Sequence, residues 1–185
     1  MFYNRLGERG FEEWLFHPAM LFGAYRKWWG DPGKRDKPHE GLDLCLYRTK
    51  EGGTRYLDEK TKVPVIFKGQ IVKIIDDFLG ASMFVRHSDY ESDGSQLFTI
   101  YGHVRPLDRM SLGERMNEGD VIGTIADAKQ RSRAIPSHLH ISVAWISNTM
   151  HSQDLSWQVV SDSGKVVLLD PLSVIAFPYS IVLDS

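Results

Sequence analysis

The sequence predicts an all-β sandwich or barrel, and three observations lead there. Short apolar runs rich in Val, Ile, Phe and Tyr follow one another from Val63 onward. Clusters of Gly, Asp and Ser separate them at regular spacing, as turns do. Within one such run His138 and His140 stand two apart, which on a strand sends both imidazoles to one side, about 6.6 Å apart along the backbone.

In chain order, Phe11, Trp14 and Leu15 have helical spacing until Pro18 interrupts it, and Phe22, Tyr25, Trp28 and Trp29 form a second aromatic group. This segment is expected to pack over the β core, with the alternative that some rings line a substrate groove. Lys34, Arg35 and Lys37 read as a solvated loop, and residues 48–62 as a long polar one. Strands are expected at 63–67, 70–75 and 84–87, then at 97–101 after the turn cluster at 89–94. A tight turn over 116–120 leads into a strand at 121–125; a second long loop, 127–137, precedes the strand from His138 to Trp145. Ser161-Asp-Ser-Gly164 suggests a hairpin between 157–160 and 165–169.

At 185 residues with 42% apolar side chains, the chain suits one compact domain with an appended segment. The boundaries read as an N-terminal segment 1–37 and a domain 38–185. Twenty-two basic against 24 acidic side chains argue against a nucleic-acid backbone or an anionic membrane as the main partner. No apolar run is long enough for a transmembrane helix, and the first residues lack the layout of a signal peptide. The chain is therefore expected to be cytoplasmic, or to begin after its export signal. Cys45 is the only cysteine, so no intrachain disulfide forms; a buried thiol is the expected reading.

A zinc ion that does chemistry takes three protein ligands and leaves a position for water. His39, Asp43 and one of the paired histidines could make that shell, leaving His103 and the other to handle protons. On a straight strand the Cα atoms of His39 and Asp43 would lie roughly 13 Å apart, and Pro38 and Gly41 disfavour a helix, so the segment must bend. Gly41 is expected to supply a left-handed or bulged residue there. His17, His87 and His151 lack comparable context and are read as non-ligands, although His87 could approach the face of His103.

His39-Glu-Gly-Leu-Asp43, Val63-Pro-Val, Gly69-Gln-Ile-Val, Tyr101-Gly-His103-Val, Glu118-Gly-Asp-Val-Ile-Gly123 and His138-Leu-His140-Ile stand in one order. Together they resemble the motifs of the lysostaphin-like (LytM-type) zinc endopeptidases that cut peptidoglycan. The resemblance runs from about residue 38 to 145, and Asp170-Pro171 is similar to a frequent family ending. It implies an antiparallel β fold, a barrel-sandwich hybrid with a substrate groove. It also implies Zn2+ held at His39, Asp43 and His140, catalytic histidines at His103 and His138, and a place in the cell envelope or outside the cell. One catalytic histidine would move the proton of water and the other would stabilise the oxyanion, in an order that the sequence leaves open.

Three features depart from the pattern: the charged stretch 127–137 where the family is rich in Gly and Ser/Thr, Ser142 in place of an acidic residue, and the length of the loop from Tyr47 to Lys62. Lys129, Arg131 and Arg133 are candidates to bind a stem-peptide carboxylate, weighed against a solvated loop. Two rival functions were weighed. A catalytically silent LytM-like regulator usually loses ligand positions that this chain keeps, and a sugar-transport phosphocarrier domain leaves the His39/Asp43 pair unexplained.

Overall fold

The computed structural model describes residues 6–30, 33–130, 134–162 and 164–182. Among these the chain forms thirteen strands and two short α-helices. The strands are β1 (Phe11–Phe16), β2 (Leu42–Leu44), β3 (Leu46–Thr49), β4 (Thr54–Tyr56), β5 (Lys62–Pro64), β6 (Gly69–Asp76) and β7 (Ala81–Tyr90). They continue with β8 (Gln96–Pro106), β9 (Arg115–Met116), β10 (Val121–Ile125), β11 (Leu139–Ile146), β12 (Val166–Leu169) and β13 (Tyr179–Ile181). The helices are α1 (Trp157–Asp162) and α2 (Pro171–Val174).

The fold is mainly β, antiparallel apart from one pairing, and is not a closed barrel. A large sheet runs β12-β11-β8-β7-β6-β9, with β2 added to β11 and β10 bridging β8 and β5; a small sheet runs β13-β1-β3-β4. The main core, with Phe11, Trp14 and Tyr47 from the small sheet and Met83, Tyr101 and Ile141 from the large one, lies between them. Phe84, Phe98, Ile100 and Ala144 face the other way, under Leu155 and Val160. Alternating side chains along β7, β8 and β11 thus serve two cores, which is why these strands read as continuous apolar runs.

The N-terminal residues with helical spacing form a strand instead. β1 lies between β3 and β13, and its register with β3 slips between Phe11 and Glu13, so one extra residue is inserted. That bulge brings Phe11 and Trp14 to the same side although they are three apart, and their rings meet edge to face at 5.1 Å. A three-residue spacing can therefore come from a bulged strand as well as from a helix. The expected loop 48–62 contains the β3–β4 hairpin. The expected hairpin at 161–164 is replaced by helix α1 followed by β12. Trp157 and Val160 share a helical face on the second core, and the Ser161 hydroxyl closes the turn on the Trp157 carbonyl at 2.8 Å.

Other expectations fared better. The strands expected between residues 63 and 145 are found, β5 shorter than expected and β7 and β8 longer. Asp170 caps α2, accepting the Leu172 N–H at 2.9 Å, with Pro171 opening the helix. Cys45 is buried, and burial pushes its thiol up to about 12. No helix among the described residues is long and apolar enough to cross a membrane.

Candidate metal centre and active site

One cavity of about 310 Å3 is lined by His39, Asp43, His103, His138 and His140 together, with Trp157 on the same face of the large sheet. β2 and β11 pair so that Asp43 sits opposite His140, and the facing residue of β8 is Gly102. A Cβ at Gly102 would lie 3.2 Å from the His140 Cβ, so the glycine leaves room for that imidazole.

His39 reaches the same point from a bend ahead of β2, held by backbone bonds of its own N–H to the Ala24 carbonyl and of Gly23 N–H to its carbonyl. Gly41 does not take the left-handed conformation expected of it. Its role is close approach: a Cβ there would stand 2.2 Å from the Ile141 carbonyl oxygen and 2.8 Å from His140 Nε2. The bend needs a residue without a side chain because β11 runs directly beneath it.

The three groups converge tightly. His140 Nδ1 is 2.9 Å from Asp43 Oδ1 and 3.1 Å from His39 Nε2, which is itself 3.2 Å from Asp43 Oδ1. Each outer atom is already engaged. His39 Nδ1 donates to the Leu21 carbonyl at 3.0 Å, His140 Nε2 meets Ser142 Oγ at 2.9 Å, and Asp43 Oδ2 accepts the Trp28 indole N–H at 2.7 Å. When His140 carries its ring proton on Nε2 and donates it to Ser142 Oγ, two imidazole lone pairs and a carboxylate oxygen face one another in a buried place, an arrangement that a cation relieves. A tetrahedral ion with bonds of about 2.0–2.1 Å holds its ligand atoms roughly 3.3 Å apart, close to the separations found. The donor set of two imidazoles and a carboxylate fits Zn2+, and His39, Asp43 and His140 are the residues able to hold it.

Electrostatics agree with that fit. Burial alone would raise the Asp43 carboxyl, but the facing His39 and His138, with bonds from His140 and His39, outweigh it and hold the group well below its usual range. Burial also lowers His140, and it pushes His138 down to about 4 against the pull of Asp43. His138 is thus neutral near pH 7. Its Nδ1–H donates to the Pro136 carbonyl at 2.8 Å, which leaves Nε2 as an acceptor 3.8 Å from Asp43 Oδ1.

His103 comes into the cavity by a bulge. Along β7 the register moves two residues, from Ala81 to Met83, while β8 moves three, from Val104 to Tyr101. By strand alternation His103 would share the face of Tyr101, which lies in the main core. The extra residue, with His103 at φ 61, turns the imidazole to the cavity side, where its ring centre is 4.7 Å from that of His138. His103 is the one non-glycine among the described residues with positive φ, a conformation that costs on the order of 1 kcal/mol.

Several cavity residues escaped the sequence reading of this site. Asp77 lies beside His103, its Oδ1 3.1 Å from Nδ1. Trp157 stacks edge-on against His140 at 5.1 Å, and Trp29 and Phe78 add apolar walls. Arg35 is not a solvated side chain as expected: it lines the cavity and brings a guanidinium nitrogen to 3.6 Å from Asp43 Oδ2. Of the expected aromatic group, Trp29 lines the cavity, whereas Trp28 packs on the main core and meets His138 edge-on. Lys129 is not among the cavity residues, and Arg131 and Arg133 lie outside the described residues. The remaining histidines are elsewhere: His17 caps a turn, His87 is buried between β7 and β8, and His151 is exposed.

Comparison with known proteins gives a family. No curated protein matches the chain. Among solved structures, the NMR solution structure of lysostaphin is 19% identical with a TM-score of 0.46, over 74% of this chain and 42% of that one. This chain thus spans less than half the length of lysostaphin. A mutant catalytic domain of the prophage-encoded M23 protein EnpA from Enterococcus faecalis is 16% identical with a TM-score of 0.42, over 69% of this chain and 85% of that one. Residues 48–153, more than half of the sequence, match peptidase family M23; the span includes His103, His138 and His140 and begins just after His39 and Asp43. The chain belongs to peptidase family M23.

Proposed function

We propose that this protein is a zinc-dependent endopeptidase that hydrolyses an amide bond in peptidoglycan stem peptides or cross-bridges. The observation that carries the reading is the convergence of one potential ligand atom each from His39, Asp43 and His140, beside two further imidazoles in one open cavity. Residues 38–185 are the catalytic domain in this reading, 1–37 an appended segment packed on it, and the site of action is the cell envelope or beyond.

His39, Asp43 and His140 hold the metal. Zinc bound there supplies Lewis acidity toward a carbonyl and toward water near neutral pH. His138, neutral and with Nε2 free, can accept a proton; His103 faces it across the cavity and can carry a proton to the leaving amine or hold charge on the carbonyl oxygen. Trp29, Phe78 and Trp157 keep the surroundings apolar, which strengthens each of these interactions.

The test joins a metal analysis of the purified protein to a digest of intact peptidoglycan. Stoichiometric zinc and new amine termini are expected. Zinc-free protein that releases no amines but stimulates another hydrolase would replace this reading with the silent regulator.

A further inference from the structure

We propose that Asp77 is the positioning residue of His103, fixing through both carboxylate oxygens which ring nitrogen faces the substrate. The inference deepens the endopeptidase reading and rests on it for the role of His103.

Asp77 follows β6 and begins the turn into β7, and its side chain is 3% exposed. Oδ1 accepts the backbone N–H of Leu79 at 2.9 Å and of Gly80 at 2.7 Å, which locks the carboxylate to its own turn. Oδ2 accepts the Ser82 hydroxyl at 2.7 Å and the backbone N–H of His103 at 2.8 Å. Ser82 in turn accepts the Trp157 indole N–H at 2.9 Å. The carboxylate is therefore held from three directions before His103 is considered.

His103 meets this fixed group twice. Its backbone N–H is bound at the bulge, where φ is positive, so Asp77 helps to hold the strained residue that re-aims the ring. Its Nδ1 then stands 3.1 Å from Oδ1, an ionic contact that is not aligned along the N–H. Such contacts commonly tighten when substrate is bound. A carboxylate can only accept here, so it selects the form of the ring with a proton on Nδ1 and leaves Nε2 for the cavity. His138 reaches the same tautomer by a different route, through the neutral Pro136 carbonyl. The two imidazoles thus offer like nitrogens to one cavity, but only His103 is backed by a negative charge that stabilises it when it carries an extra proton.

The experiment reads imidazole 15N shifts and steady-state kinetics on the full chain, zinc-loaded and zinc-free. In the wild type, His103 should show the Nδ1–H tautomer. Asp77→Asn should redistribute that tautomer and lower kcat about a hundredfold with KM within about threefold and zinc content unchanged. Asp76→Asn, an exposed neighbour, should change neither reading. Because Asp77 also supports a turn, Ser82→Ala is the second variant: it keeps the carboxylate and should lower kcat about three- to tenfold without moving the tautomer. A wild-type His103 protonated on Nε2, or a folded Asp77→Asn with unchanged tautomer and kcat, overturns the inference. If the wild type hydrolyses no peptidoglycan, the endopeptidase reading falls, while the spectra still decide whether Asp77 sets the tautomer of His103.

Discussion

Strand β8 passes through two buried polar groups that look alike in composition and differ in what their atoms lack. In the first, His87 Nδ1 meets the Lys68 carbonyl at 2.9 Å, and the Thr99 hydroxyl bridges His87 Nε2 at 2.8 Å and Tyr101 Oη at 3.3 Å. The Ile66 N–H closes that chain on Tyr101 Oη at 2.7 Å. One alternation of donors and acceptors satisfies every atom with His87 neutral, so nothing further is needed. In the second, His39, Asp43 and His140 engage their outer atoms with neighbours and bring one potential ligand atom each to a common point. Burial of a histidine is therefore no sign of chemistry in itself. What separates the two groups is convergence: only in the second do three potential ligand atoms meet at one point.

That contrast can be broken most directly at the metal. His140→Ala, His39→Ala or Asp43→Ala should each weaken zinc binding by more than about a hundredfold, exceeding the effect usual for an outer partner. His87→Gln should leave it unchanged. Competition with a chromogenic chelator measures both, and full zinc affinity in His140→Ala would remove the distinction between the two groups.

The next largest effect separates holding the metal from using it. His103→Ala and His138→Ala should retain zinc and lose at least about a hundredfold in turnover on peptidoglycan fragments. Near-normal hydrolysis by either zinc-loaded variant would exclude that residue.

Trp28→Phe sharpens the comparison at its edge. An aromatic ring is kept while the N–H to Asp43 Oδ2 is lost together with the five-membered half of the indole, so zinc affinity should fall about tenfold in a protein that still folds. An unchanged affinity would mean that Arg35 or solvent supplies enough support to Asp43.

The smallest effect concerns acid. Burial lowers the pKa of His87 below the ordinary 6.5, so the unfolded chain binds a proton that the folded chain refuses as pH falls below that value. Stability is present above pH 6.5 and drains away below it. Denaturant titrations of the zinc-loaded protein should show that acid limb to be shallower in His87→Gln, at a cost of about 1–2 kcal/mol at neutral pH. Identical limbs would place the acid sensitivity elsewhere.

How much of this could be read beforehand follows from what each feature depends on. The strands after residue 63 were legible because alternation, turn residues and β-branched runs are local properties. His39, Asp43, His103, His138 and His140 stood out by type, spacing and order, although the bend at Gly41 works through close contact with β11 rather than through handedness. The two bulges were not legible, since an extra residue is defined only against a partner strand. Without them Phe11 and Trp14 suggest a helix, and the face on which His103 lies is unknowable. Asp77 was hidden for a similar reason: Asp76-Asp77 before Phe-Leu-Gly reads as a turn, and only the fold sets the second carboxylate against an imidazole twenty-six residues on. Arg35 looked like one cation among three in a loop, and its burial is a property of where that loop lies.

The pairing of β1 with β13 joins Trp14, Leu15 and Phe16 to Tyr179, Ser180 and Ile181, residues from opposite ends of the chain. It is also the one parallel pairing among the described strands, and it closes the longest loop between them. During synthesis this contact waits for β13 to emerge, whereas the β6–β7 and β7–β8 hairpins can form as soon as their turns do. The small sheet is then expected to be the last part to dock and the first to open, exchanging its amide hydrogens ahead of β7 and β8. The segment from Leu21 to His39 follows β1 directly and carries Trp28, Arg35 and a proposed ligand. Assembly of the proposed metal site is thereby expected to be a late kinetic step, timed by the arrival of β13.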